Sequence, residues 1–165
     1  MKLSTKARYA VIALVDLAQH DKRADGKIKP SSLLDISQRQ SLSQQYLEQL
    51  FSKLRRAGIV ESMRGQSGGY FLSISPSELS ISQIVNAVDE PIKSTKCDPA
   101  SDLGCQGKQS KCLAHSLWMG LENSIHSYLA SITLNDVITQ RPMPLAVMTR
   151  PLDINEQEGT VRHAS

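Results

Sequence analysis

"SLSQQYLEQLFSKLRRAGIVESMRGQSGGYFLSIS" (residues 41–75) decides the fold of the N-terminal half. Its first part predicts a helix over about 44–57, because apolar residues recur there every three or four positions. These residues are Leu47, Leu50, Phe51 and Leu54. Gly58 ends the helix, and two short strand patterns follow at 59–64 and 70–75 around a glycine-rich turn. A helix followed directly by a hairpin predicts a recognition helix with its wing.

A second helix precedes this one, over about 33–40. Ser32 and Asp35 form a predicted capping box at its start, in which hydroxyl and carboxylate satisfy free backbone N–H groups. The turn between the two helices ends at Ser43, the predicted N-cap of the next helix. Two helices joined by such a turn are typical of a helix-turn-helix, which we place at about 33–56.

The outer face of the 44–57 helix is rich in planar and basic side chains. Such side chains suit the base edges and phosphates of a DNA groove. Arg64 stands at the shoulder of the glycine turn, placed to enter a minor groove. The residues on the outer face are Gln45, Tyr46, Glu48, Gln49, Ser52, Lys53 and Arg56. The predicted phosphate contacts are Arg8, Lys53, Arg55 and Arg56. A solvated helix face beside a plain surface hairpin is the alternative.

The charge is unevenly distributed along the 165 residues. Residues 1–75 carry twelve Lys and Arg against six Asp and Glu, whereas the remainder carries seven against ten. This distribution favours an acidic partner for the N-terminal half only. Two Lys and one Arg also crowd the start of a first helix, predicted from Ser4 or Thr5 to Gln19, where a phosphate would favour them.

Several protein classes are disfavoured. The apolar run 9–18 is interrupted by Asp16 and has no cleavage site after it, so we expect no export signal and no membrane span. Three cysteines, an odd number, argue against a disulfide framework and favour the reducing cytoplasm. No reaction pocket, nucleophile–base pair or nucleotide loop is recognisable, so we expect no enzyme.

The C-terminal half predicts two more helices and a tail. A fourth helix begins with a capping box of Ser80 and Gln83 and ends before Pro91. A long helix over about 112–132 carries a heptad stripe that predicts a homodimer, with burial in its own domain as the alternative. The stripe consists of Ala114, Trp118, Leu121, Ile125, Tyr128 and Ile132.

These elements predict a mainly α protein with a small β-wing. A winged helix-turn-helix would occupy 1–75, with its wing at 59–75. Residues 76–140 would contain the fourth helix, a ligand-binding loop at 92–115 and the long dimerisation helix, followed by a short helix near 134–140. The polar, proline-containing residues 141–165 predict a disordered tail.

All three cysteines lie within sixteen residues, as Cys97, Cys105 and Cys112, with His115 following. The spacing C-x7-C-x6-C-x2-H leaves three interpretations open. Three thiolates and an imidazole can hold structural zinc, although zinc sites usually contain a C-x2-C pair. They can also ligate a [2Fe–2S] cluster, which the neutral imidazole would hold less firmly. Free thiols are the third interpretation, but they need no clustering.

Five stretches together resemble a known family. They are "KARYAVIAL" (6–14), "YLEQLFSKLRRAGIVESMRG" (46–65), "GGYFL" (68–72), "VDE" (88–90) and "KCLAHSLW" (111–118). Over about residues 1–138 the chain resembles the bacterial winged-helix transcription regulators that respond to iron–sulfur clusters and nitric oxide.

The resemblance implies a homodimeric regulator that binds a pseudopalindromic DNA operator. It implies a [2Fe–2S] cluster held by Cys97, Cys105, Cys112 and His115, delivered by cluster donor proteins. With the cluster, such a regulator represses the genes for cluster assembly. Without it, the dimer still binds a second class of sites.

The resemblance also assigns roles on the predicted recognition helix. Tyr46, Glu48 and Gln49 match positions that read bases, and Arg64 matches a minor-groove arginine. The carboxylate of Glu48 matches a position that discriminates between promoters. The chain departs from the family pattern at the "GQSGG" turn and at Gln45, where serine is common.

Other functions stay open at this point. A winged-helix regulator with structural zinc, or one that senses nitric oxide or iron, fits the same elements. An iron–sulfur electron carrier fits the cysteines but leaves the basic half and the polar helix without a purpose.

Overall fold

The computed structural model describes residues 4–20, 28–65, 68–88 and 113–143. Within these ranges it has six α-helices and one antiparallel sheet of two strands. The elements are α1 (Thr5–His20), α2 (Leu33–Gln40), α3 (Gln44–Arg56), β1 (Val60–Met63), β2 (Gly69–Leu72), α4 (Ile81–Val88), α5 (His115–Ala130) and α6 (Leu134–Ile138). The predicted mainly α fold with a small β-wing is confirmed.

Helix α1 runs through the centre of the core. It packs against α2, α3, α4, α6 and β2. Its buried face is made of Ala7, Ala10, Ala13, Leu14, Asp16 and Leu17. Val11 and Ala18 border this face, half-buried and packed against the core.

Helices α2 and α3 form the helix-turn-helix. The Ser32 hydroxyl accepts a hydrogen bond from the Asp35 amide at 3.1 Å, which confirms one half of the predicted capping box; the return bond from the Ser32 amide to the Asp35 carboxylate does not form among the described residues. Ser41 ends α2 in the left-handed conformation at φ 53°. The prediction for Ser43 was wrong in one respect: it is the N-cap of α3, but its side chain makes no capping hydrogen bond.

The wing is anchored to the chain that precedes α2. Its strands pair Val60 with Leu72 and Met63 with Gly69. The backbone N–H and C=O groups of Tyr70 also bond to Ser31, at 2.8 and 2.9 Å. A β-carbon on Gly69 would lie 2.5 Å from the Ser31 carbonyl oxygen, so this close approach requires glycine.

Helix α4 connects the helix-turn-helix to the C-terminal residues. The capping box of Ser80 and Gln83 is present, with the Ser80 amide donating to the Gln83 side chain at 2.8 Å. The Ile81 amide donates to the Ile132 carbonyl at 2.9 Å. The Leu134 amide donates to the Leu79 carbonyl at 2.8 Å, so the start of α6 is attached to the start of α4.

Helix α5 is shorter than predicted and differs in burial from the other long helices. It starts at His115 rather than near Cys112, and it ends at Ala130. Ile132, the last position of the predicted heptad stripe, lies beyond the helix and is buried in the core. No residue of α5 itself is fully buried.

The core gathers apolar side chains from every helix of the helix-turn-helix and from both strands. Its largest fully buried members are Phe51, Leu14, Leu17, Ile36, Leu47, Leu54, Leu79, Ile84 and Leu134. All four predicted inward residues of α3 belong to it. Burying a side chain of this size stabilises the fold by about 1.5–3 kcal/mol.

One charged side chain lies inside this core. The Asp16 carboxylate of α1 is 1% exposed and accepts hydrogen bonds from the Arg39 guanidinium at 2.7–3.1 Å. The Gln40 amide donates to it at 2.8 Å, and the His20 ring lies 3.7 Å away. Burial alone would raise the pKa of Asp16, but these hydrogen bonds and positive charges lower it below the usual value. The carboxylate therefore ties α1 to the end of α2.

Several predictions fall outside the described residues. They concern Cys97, Cys105 and Cys112, most of the 92–115 loop, and the tail beyond residue 143. The division of the chain into three regions also stays a prediction. Among the described helices, none is long and apolar enough to cross a membrane.

We expect Asp16→Asn to lower the free energy of unfolding at pH 7 by about 2 kcal/mol, since it removes charge-assisted hydrogen bonds to Arg39. A carboxylate with a lowered folded-state pKa contributes stability that is present above the unfolded pKa, about 3.9 for Asp. That contribution is lost as the pH falls through the lower folded-state value. Urea unfolding followed by circular dichroism between pH 3 and 7 measures both effects.

Glu78→Gln is the control for this substitution, because Glu78 is exposed. It should unfold like the wild type. An Asp16→Asn variant as stable as the wild type at pH 7 would show that the buried carboxylate does not tie α1 to α2.

Candidate nucleic-acid interface and metal ligands

Helix α3 presents its polar face to solvent because its apolar face is in the core. Gln45, Glu48 and Gln49 are exposed, and Tyr46 is half-buried. All four lie within the first two turns, at the end of the helix that enters the major groove in helix-turn-helix proteins. The structure therefore places the three predicted base-reading residues and the neighbouring Gln45 on one accessible surface.

Tyr9 of α1 adjoins this surface and was not identified from the sequence. Its ring meets the Tyr46 ring edge-to-face, with centroids 5.8 Å apart and planes at 85°. An open cavity of about 320 Å³ lies between α1 and α3, lined by Tyr9, Ser43, Gln45, Tyr46 and Gln49. Edge-to-face pairs hold both rings in place, so Tyr9 restricts the position of Tyr46. The apolar run 9–18 contains no local signal for this contact.

The carboxylate of Glu48 points along the exposed face of α3. The Gln44 amide, one turn earlier, donates to it at 3.2 Å. No cation bonds to Glu48 among the residues that the structure describes. An anionic group is thus held on the exposed polar face of α3.

Arg64 directly follows β1 and is exposed. The neighbouring Gly65 has φ 123°, a conformation that favours glycine, so the chain turns sharply beside the arginine. The wing is held against α3 by Phe51 and Tyr70, whose ring centroids are 4.9 Å apart. Arg64 is therefore an exposed cation at the turn of a wing that is packed against α3.

The predicted phosphate-binding residues have different surroundings. Arg8 and Arg56 are exposed, and neither forms an ion pair or side-chain hydrogen bond within the described part of the chain. Arg55 donates to the Ser62 hydroxyl of β1 at 3.4 Å. The Lys53 ammonium donates to the Val88 carbonyl at the end of α4, at 2.9 Å. The basic residues of α3 are thus not equivalent.

Large apolar side chains of α5 are exposed. Leu117 is 66% exposed, Trp118 42% and Leu121 40%. Leu113, just before the helix, is fully exposed. The helix packs on α4 with its other side, where the Ser82 hydroxyl lies 3.3 Å from His126 Nε2. Four large apolar side chains are therefore exposed in or next to the first half of α5.

His115 is the only predicted metal ligand among the described residues. It is the first residue of α5 and is half-buried. No group of three or more metal-ligating side chains occurs within the ranges 4–20, 28–65, 68–88 and 113–143. Cys112 is three residues earlier in sequence and lies outside the described residues.

Known proteins resemble this chain over most of its length. A family model described as "Rrf2: Iron-dependent Transcriptional regulator" matches residues 3–140. The HTH-type transcriptional regulator IscR of Aliivibrio salmonicida is 41% identical over 164 residues, which cover 99% of this chain and 93% of that protein.

Solved structures agree with the sequence comparison. The T. potens IscR structure has a TM-score of 0.66 and 37% identity, and the match covers 86% of this chain and 89% of that one. CymR, described as the global cysteine regulator of B. subtilis, has a TM-score of 0.67 and 32% identity, with 86% and 99% covered. The predicted family resemblance is thereby confirmed.

The homologues are transcription regulators and not enzymes. The exposed polar face of α3 and the attached wing give this chain the elements with which such regulators contact DNA. The chain belongs to the Rrf2 family, and it is a DNA-binding transcription regulator with a winged helix-turn-helix.

Proposed function

We propose that this regulator senses a [2Fe–2S] cluster and represses the genes of cluster assembly when it carries one. The observation that carries the proposal is the donor set Cys97, Cys105, Cys112 and His115 in a chain whose relatives are named IscR. We place the protein in the cytoplasm, where thiols stay reduced.

The donor set fits the cluster on chemical grounds. Three thiolates and one neutral imidazole around a [2Fe–2S] unit carry a net negative charge. His115 lies in the first turn of α5, where free backbone N–H groups and the helix dipole favour negative charge. Cluster donor proteins would load this site. When bound, the cluster is a signal of supply, because the protein loses it when iron or sulfide is scarce.

On DNA, we assign base contacts to Gln45, Tyr46, Glu48 and Gln49, whose side chains share the exposed start of α3. Arg64 enters the adjacent minor groove from the wing. Arg8 and Arg56 neutralise phosphates, since both are exposed cations, on α1 and at the end of α3. The carboxylate of Glu48 disfavours operators that bring a phosphate or an acceptor edge against it.

We further propose that the regulator is a homodimer formed through α5. The exposed leucines and tryptophan of this helix recur at the spacing of a two-helix interface. Two-fold symmetry then places two copies of α3 in successive major grooves, about 34–36 Å apart, on a pseudopalindromic operator.

For the dimer, we expect Leu117→Lys combined with Leu121→Lys to shift the protein to monomer, because two charges would be buried between the helices. Light scattering after size-exclusion chromatography measures the mass. Leu34→Lys is the control, since Leu34 is 51% exposed on α2 and lies outside the proposed interface. A double variant that remained dimeric would place the interface elsewhere.

For DNA binding, we expect the logarithm of affinity to fall against the logarithm of salt concentration with a slope of about −5 to −7, for about 6–8 neutralised phosphates per dimer. Arg56→Met removes two phosphate contacts per dimer and should make the slope less negative by about 2. Fluorescence anisotropy measures this with an operator duplex that the protein has selected from random DNA. A flat salt response would contradict phosphate binding.

For the cluster, we expect purified protein treated with iron and sulfide under nitrogen to show visible charge-transfer absorbance and bound iron and sulfide. Cys97→Ser, Cys105→Ser and Cys112→Ser should each abolish the absorbance, because each removes a thiolate ligand. His115→Ala should make the cluster easier to lose, because it removes the imidazole ligand. His126→Ala is the control on the same helix and should retain the cluster.

Colourless wild-type protein that retains zinc would instead indicate a structural zinc site. A retained cluster without any effect on DNA affinity would favour an electron carrier. Either result would refute the proposed sensing function.

A further inference from the structure

We propose that Lys53 is a positioning residue that sets the angle of α3 against α4, and not a phosphate contact. The inference rests on the proposed function, since α3 is taken as the helix that reads DNA. Its basis is the hydrogen bond from the Lys53 ammonium to the Val88 carbonyl at 2.9 Å, between residues that are 35 positions apart.

The acceptor explains why a lysine occupies this position. Val88 is the last residue of α4, and the final carbonyls of a helix have no partners within it. They carry the negative end of the helix dipole, which a cation stabilises. The last turn of α4 contains no basic residue of its own, so Lys53 supplies that cation from α3.

The other basic residues at the end of α3 lack this contact. Arg55 donates to the Ser62 hydroxyl of the wing, at 3.4 Å. Arg56 is exposed and makes no hydrogen bond or ion pair within the described ranges. All three residues are exposed, so the distinction rests on their partners: Arg56 has none within the described ranges, whereas Lys53 donates one hydrogen bond to the end of α4.

The bond also has a consequence for regulation. Val88 is buried and directly precedes the residues that contain Cys97, Cys105 and Cys112. A change in that segment can move the Val88 carbonyl. The hydrogen-bond acceptor of Lys53 then shifts, and the tilt of α3 changes with it. Because α3 carries the DNA contacts, Lys53 gives the two ligand states different affinities for the same operator.

The test compares Lys53→Met with Arg56→Met, which removes the same charge from the same helix, and with Lys53→Arg. Operator affinity of the full chain is measured at several salt concentrations, with and without the reconstituted cluster. We expect Lys53→Met to keep the wild-type salt slope but to reduce the affinity ratio of the two states by about three- to tenfold. Lys53→Arg should restore the ratio, since a guanidinium can also donate to the carbonyl.

A second measurement needs neither DNA nor cluster. Hydrogen exchange of the amides in the last turn of α4 should be faster in Lys53→Met and unchanged in Arg56→Met. If Lys53→Met does not fold, Lys53→Gln takes its place in both measurements.

The inference is wrong if Lys53→Met reduces the salt slope as Arg56→Met does, or if exchange in α4 is unchanged. A wild type whose affinity does not respond to the cluster would refute the proposed sensing function instead. The exchange rates and the salt slope would still decide the positioning role of Lys53.

Discussion

The burial of one face of α3 is the constraint on which the DNA-reading surface depends. Leu47, Leu50, Phe51 and Leu54 are enclosed by α1, α4 and the wing. Because side chains three or four positions apart share a helix face, this burial necessarily turns Gln45, Glu48 and Gln49 outward. The apolar contacts hold the helix in place, and the polar side chains on the other side remain available for binding.

Polar and aromatic contacts then set the elements around α3. The ion pair between the buried Asp16 and the solvent-accessible Arg39 attaches α1 to the end of α2, while Phe51 and Tyr70 attach the wing to α3. A buried carboxylate without its partner is costly, so this pair disfavours any arrangement in which α2 is displaced. Hydrophobic burial is non-directional, and it is these directional contacts that specify one geometry.

Helix α4 is the element shared by the two functional surfaces. It packs on α1 and α3 with one side and on α5 with the other, and its last carbonyl meets Lys53. The segment with the predicted thiolate ligands begins directly after it, and His115 begins α5. The eight-residue α4 thus contacts the helix proposed to read DNA and directly precedes, in sequence, the segment proposed to bind the cluster.

The sequence alone determined the elements whose signals are local: the periodic apolar faces of α1, α3 and α4, the caps at Ser32 and Ser80, and the glycine-bounded wing. It also contained the complete proposed donor set, since ligand identity is a matter of residue type and spacing. Only the tertiary structure decided that Asp16 is buried against Arg39, that Tyr9 meets Tyr46 and that Lys53 bonds to α4. These contacts join residues distant along the chain, and a contact made only by folding leaves no periodic pattern in the sequence.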